Sequence, residues 1–280
     1  MIWLIRINKL KIKYNTLAQC KLENLSLSTA LLAINKTVIE HLRKAMKLIE
    51  KDIEDWIKPY ATIVGGQKEY DLKLREQNPS KFFLQLTLPN NFQEYAIAFH
   101  SFWINNKIPN DKIVVRELSD EEFPEDNFSR VTWKDFHDRK YQEFDLNKAI
   151  MDSIKHTHSY DKQFNNELYP VEGLMDKEHL ISLVEVVLEL YGNQEIELFY
   201  TFLATKNWEK DLIYSGRINE LPKIFEIDNL RLTPSLIYPK EKNWVVNTDL
   251  DLAFTTMGGE TKFITELVNR NIHEIVKIAL

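Results

Sequence analysis

The sequence predicts an α+β fold, with largely antiparallel sheets and helices packed on one face. Three observations predict it. Short runs of alternating apolar residues stand between stretches with helical spacing. Between Tyr60 and Leu118 the strand-like runs follow one another too closely for helical crossovers, so their pairing is antiparallel. Finally, the 280 residues are 44% hydrophobic and 28% charged, with 15 Phe, 11 Tyr and 6 Trp, which is enough to bury a sizeable core.

Taken in order, the chain opens with two short alternating runs, Trp3-Ile5-Ile7 and Leu10-Ile12-Tyr14, readable as weak strand or frayed tail. Ser28 or Thr29 then caps a helix. Its stripe of Ile34, Val38, Leu42, Ala45, Ile49, Ile53 and Trp56 lies opposite Lys36, Arg43, Lys44, Lys47 and Lys51, and Pro59 ends it. Ala61–Val64 and Tyr70–Arg75 flank Gly65-Gly66 as a hairpin. Phe82, Leu84, Leu86 and Leu88 alternate up to Pro89, and runs from Phe92 to Trp103 and from Ile113 to Leu118 complete the first sheet.

Six acids fall in the ten residues Glu117–Asp126, an exposed loop and a domain boundary. The division is residues 1–126, helix plus antiparallel sheet, and 127–280, an α+β domain; a single merged domain is the alternative. Thr132 caps a helix to about Phe144 and Asp145 another to about Lys155, before an irregular stretch to Leu168. Asp176 caps a helix with Leu180, Val184, Val187 and Tyr191 on its buried stripe, closed by Gly192. Ile196 to Phe202 is a strand, Trp208 to Tyr214 its hairpin partner, and Gly216 to Asp228 a turn with a helical turn near Glu220. Pro234 and Pro239 confine Leu236-Ile237-Tyr238 to a short edge strand. The last forty residues read strand, acidic turn, strand, glycine pair, helix, strand, with Trp244, Val246, Phe254, Ile264 and Leu267 buried.

The net charge is −6, unevenly spread: residues 1–58 hold 11 of the 36 Lys/Arg and only 6 of the 42 Asp/Glu. The acidic remainder is a poor match for a phosphate backbone, so nucleic acid is not the expected partner, whereas a basic protein is. The lone Cys20 excludes an internal disulfide and fits a reducing, cytoplasmic setting. Leu17-Ala18-Gln19-Cys20 loosely resembles a lipoprotein box, but Arg6, Lys9, Lys11 and Lys13 break the apolar stretch such a signal needs. No window approaches the roughly 20 apolar residues of a membrane span, and no membrane partner is expected.

Three constellations invite chemistry. Asp249-Leu250-Asp251 follows the apolar Trp244-Val245-Val246, and an Asp-x-Asp on extended backbone can hold Mg²⁺ or Mn²⁺. A metal-dependent enzyme acting on a phosphorylated or nucleotide substrate through Asp249 and Asp251 is therefore the alternative function. The surroundings such enzymes use are absent, because no βαβ rhythm precedes the pair. Gly258-Gly259 before a helix could offer backbone N–H groups to an anion, yet no P-loop Lys accompanies it. His156 and His158, with Asp152 and Asp161 near, resemble metal ligands but lack a third ligand at recognisable spacing. His100 and His137 stand alone among aromatics as packing or surface groups. No serine has the glycines of a nucleophile elbow. No catalytic residue and no cofactor are expected.

Leu212-Ile213-Tyr214-Ser215-Gly216, Tyr238-Pro239 before Asn243-Trp244, Asp249-Leu250-Asp251, Phe254-Thr255, Gly258-Gly259 and Glu274 together resemble a pattern of small bacterial proteins. These are uncharacterised proteins and immunity proteins of polymorphic toxin systems, and the resemblance spans about seventy residues. It implies a non-enzymatic, partner-binding protein and assigns no binding residue. The expected function is thus a non-catalytic, cytoplasmic protein-binding protein of immunity or antitoxin type. Its expected contact surface is the acidic run Asp120, Glu121, Glu122, Glu125 and Asp126, since clustered carboxylates steer basic partners.

Overall fold

Apolar alternation in the second half of the chain builds the middle of one large sheet. The computed structural model describes residues 46–62, 72–106, 128–158, 167–168, 170–270 and 274–278. Its strands are β1 (Lys47–Ile49), β2 (Glu94–Phe99), β3 (Phe102–Asn105), β4 (Phe128–Val131), β5 (Glu167–Leu168), β6 (Glu195–Tyr200), β7 (Leu212–Arg217), β8 (Leu236–Pro239), β9 (Trp244–Asn247), β10 (Phe254–Gly259) and β11 (Ile275–Ile278). Eight of them form a sheet in the order β1-β7-β6-β8-β9-β10-β2-β11, and β4-β3-β5 form a small second sheet. All these pairings are antiparallel, as the short connections β8–β9 and β9–β10 require of those strands. β1 and β2, from before the acidic run, belong to the same sheet as strands from after it.

The helices are α1 (Leu72–Gln77), α2 (Pro79–Thr87), α3 (Trp133–Tyr141), α4 (Leu146–His158), α5 (Lys177–Tyr191) and α6 (Thr261–Asn269), with a 3-10 segment at Ile218–Glu226. The α+β class is as expected, but helices cover both faces of the large sheet rather than one. Ile196, Leu198, Tyr200, Trp244, Val246 and Met257 pack with α5, α6 and the 3-10 segment. Phe199, Val245, Phe254, Ile97 and Phe99 pack on the other side with α2, α3 and α4. Strands apolar at both odd and even positions need cover on both faces, and these have it. Trp244, Val246, Phe254, Ile264 and Leu267 are all buried, as expected.

Local signals explain most helix ends. Thr132 accepts a hydrogen bond from the Asp135 N–H, Asp145 one from Lys148, and Gly192 closes α5 at φ 73°. Several expectations need correction. Residues 46–56 are not helical: Lys47–Ile49 is an edge strand, and Ile49, Ile53 and Trp56 reach the core from an extended segment. The apolar residues were right and the period wrong. Residues 72–88 are helical rather than stranded, with Asn78 capping and Pro79 opening α2. Burial of α2 on several sides at once lets Phe82, Phe83, Leu84 and Leu86 be apolar together, which imitates alternation. β8 is central, between β6 and β9, because Pro239 is its last residue and interrupts little of the ladder. The glycine pair lies inside β10, not in the turn after it. The Gly65-Gly66 hairpin, the strand Ile113–Leu118, Cys20 and most of the first helix fall outside the described residues.

Strand registers bring five loops to one end of the large sheet. β2, β6 and β9 finish there, while β7, β8 and β10 begin there. The loops are 100–101, 170–176, 201–211, 228–235 and 248–253.

Candidate functional site

This loop end concentrates the chain's buried polar side chains. His100 is fully enclosed, with Nδ1 2.9 Å from the Val171 carbonyl oxygen and Nε2 3.0 Å from Thr255 Oγ1. A carbonyl can only accept, so Nδ1 carries the proton and Nε2 receives the Thr255 hydroxyl. Thr248 Oγ1, 2.9 Å away, must then donate to Thr255. The chain Thr248–Thr255–His100–Val171 has one direction throughout, and it needs a neutral imidazole. Burial pushes the His100 pKa down to about 4, partly opposed by the Asp176 carboxylate.

Beside it, Ser101 donates its hydroxyl to Asp176 Oδ2 at 2.5 Å and its N–H to Oδ1 at 3.1 Å. Arg130 donates Nε to Ser101 Oγ at 2.9 Å and Nη2 to Asp176 Oδ2 at 3.3 Å. His179 Nδ1 lies 3.9 Å from the same carboxylate oxygen. Serine, carboxylate and imidazole are all present, but the carboxylate stands between the other two. A nucleophile needs the imidazole next to the hydroxyl, so this order positions loops rather than activating Ser101. Asp176 heads α5 as expected, yet it spends its carboxylate on this network and makes no side-chain cap of its own helix.

Asp249 and Asp251 stand at the same end, in the β9–β10 turn. Asp249 is buried and its Oδ1 accepts the Asp251 N–H at 3.0 Å, so it shapes its own turn. Gly173 at φ 65° packs against the Cα of Leu250, and its N–H reaches the Leu252 carbonyl. Asp152, read with His156 and His158, accepts instead from Tyr141 Oη at 2.9 Å and lies 3.5 Å from His137 Nε2. His137 is buried among Trp133, Phe136, Tyr141 and Phe144. Burial and the bond to Asp152 push the Tyr141 phenol up to about 12. His156 and His158 fall in the last turns of α4, and their side chains lie outside what the structure describes. Among the described residues, no three His, Cys, Asp or Glu side chains converge as a metal site. The acidic run Asp120, Glu121, Glu122, Glu125 and Asp126 lies outside the described residues.

Sequence reasoning missed the loop 201–211. It carries two exposed aromatics, Phe202 at 42% and Trp208 at 57%. The loop is braced through Phe202, Thr205, Lys206 and Asp211. Asp211 Oδ1 receives the Phe202 N–H at 2.7 Å, and Thr205 Oγ1 donates to the Phe202 carbonyl at 2.8 Å and receives the Trp208 N–H at 3.2 Å. Lys206, Arg231 and Leu232 add backbone bonds that join it to residues 229–232. Trp208 adopts φ 55°, a conformation bulky L-residues rarely enter, and the Arg231 guanidinium lies 5.9 Å from its ring. The legible signal was a tryptophan among Lys206, Asn207, Glu209 and Lys210, too polar a setting for a core residue. Comparison with family models, with curated proteins and with solved structures gave no match in any of the three.

Proposed function

We propose that the chain is a non-catalytic protein that binds a protein partner, with an immunity or antitoxin role as the concrete form. The observation that carries the reading is Trp208. A left-handed backbone at a bulky residue costs about 1 kcal/mol, and the side chain it positions is 57% exposed rather than packed. The bracing of loop 201–211 fixes the indole before any encounter, so docking it would lose little further conformational freedom. Exposed, pre-positioned tryptophans are the residues that dominate protein interfaces.

Charge supplies the sign of the partner. At −6 the chain favours a basic surface, and Asp120, Glu121, Glu122, Glu125 and Asp126 form its densest acidic run. Meanwhile Ser101, Asp176 and Arg130 are engaged with one another at the loop end, and His100 with Val171 and Thr255, which favours a scaffold role for them. The test is co-expression with each toxin domain that a neighbouring gene encodes. Protection is expected from the native chain and is expected to be lost in Trp208→Ala. Failure to protect against any neighbouring toxin would remove the immunity form. Full protection by the Trp208→Ala variant would remove the surface.

A further inference from the structure

β6 carries an anomaly that neither the loop end nor the partner-binding reading explains. Glu197 is a buried carboxylate on a central strand, facing the same side of the sheet as Phe199 in the apolar core beneath α2–α4. Burial of a carboxylate on a sheet face requires a partner. One is Tyr238 Oη on the neighbouring β8, donating at 3.0 Å. The other comes from far away in sequence: Lys51 Nζ lies 2.9 Å and 3.0 Å from the two carboxylate oxygens, and 3.0 Å from Glu54 Oε1.

Lys51 belongs to segment 46–61, which passes round the β7 edge onto this face as a strap. Its ends are buried on opposite sides of the sheet, Met46 in the core with α5 and α6 and Ile57 in the core with α2–α4. Between them lie the three residues of β1, paired only to β7 among the described strands, and Trp56, whose ring meets Tyr238 edge-on at a centroid distance of 5.6 Å. Lys242 reaches over Trp56 and pairs with Glu54 at 3.3 Å. The Asn247 amide holds the Tyr60 carbonyl at 2.7 Å. Residues 47 to 56 are all exposed or half-buried, so between its two ends the strap is held by polar contacts and by the partial burial of Ile49, Ile53 and Trp56 alone.

We propose that segment 46–61 is a releasable strap, closed over the sheet by the ammonium of Lys51 seated between Glu197 and Glu54. Closed, it keeps water from Glu197. Released, it exposes a carboxylate and a phenol on a sheet face, and the edge of β7. The lock depends on charge balance: without Lys51, a closed strap buries the Glu197 carboxylate against the Tyr238 hydroxyl alone, whereas an open one lets water reach it. The sheet beneath is held by its own ladders and both helical layers, so the strap opens as a separate unit.

Amide hydrogen exchange tests this on the full chain. Lys51→Met is expected to raise exchange across 46–61 by about tenfold or more, the change carried by about 1.4 kcal/mol of local stability. β6, β8, β9 and β10 should keep their protection. The double variant Lys51→Met with Glu197→Gln is expected to restore most of the strap's protection, because the carboxylate that demanded a cation is gone. Salt at 1 M should loosen the native strap without touching the double variant. Exchange changed by less than twofold in Lys51→Met would overturn the proposal. An equal rise through the whole sheet would show that the strap is not a separate unit. A double variant as open as the single one would refute the charge lock.

Discussion

Trp208 and His100 show how single residues divide the labour at the loop end. Trp208 holds a costly backbone conformation and shows its ring to solvent, which is what the proposed contact with a partner calls for. Replacing it with Gly, which suits φ 55°, is therefore expected to change stability by less than about 0.5 kcal/mol, the range of surface substitutions. Chemical denaturation checks this, and a loss above 2 kcal/mol would mean the indole is structural. His100 is the opposite case. Its pKa is lowered from 6.5 to about 4 by burial, so the folded state favours the neutral ring. The stability this contributes is complete above pH 6.5 and is lost as pH falls through 4. The ceiling is about 3 kcal/mol. Urea titrations at pH 7 and pH 4.5 should show the native chain weakening, and His100→Gln should flatten that slope while lowering stability at pH 7.

Among the elements, strands and capped helices were legible and unusual burial was not. Thr132, Asp145 and Gly192 marked helix ends because their side chains or backbone freedom meet unsatisfied groups locally. β6 was legible because Ile196, Leu198 and Tyr200 alternate, and β9 because Trp244-Val245-Val246 is a short apolar run. Segment 46–56 misled because Ile49, Ile53 and Trp56 keep helical spacing while reaching the core from an extended strap. α2 misled because a helix buried on several sides loses its polar face. The glycine pair was visible but its purpose was not. A Cβ on Gly259 would lie 2.5 Å from Phe263 Cδ1 and 3.2 Å from Trp244 Cβ, so α6 can lie close on β10 only above a bare backbone. Gly259→Ala is expected to cost about 1–3 kcal/mol by overpacking, read as a lowered denaturation midpoint with unchanged slope. An unchanged midpoint would mean the ring moves aside freely.

At the scale of the whole molecule, the candidate site divides the same way. Sequence pointed to the loop end through Asp249 and Asp251, but the polar groups there run through the adjacent His100 and Ser101, Arg130 of β4 and Asp176 before α5, which share no motif. Loop 201–211 was passed over because its value lies in a backbone angle, which composition does not record. Calorimetric titration with Mn²⁺ and Mg²⁺ is expected to give no binding heat, since Asp249 already serves its own turn. Heat abolished by Asp249→Asn would instead support the metal-dependent alternative.

The most direct measurement of the proposed role is the affinity of the chain for any toxin domain that a neighbouring gene encodes, at low and high salt. Native protein should bind, with association slowing as salt rises. Trp208→Ala should weaken binding by tenfold or more through faster dissociation, at unchanged stability. Equal affinity for native and Trp208→Ala protein, with no dependence on salt, would contradict the account.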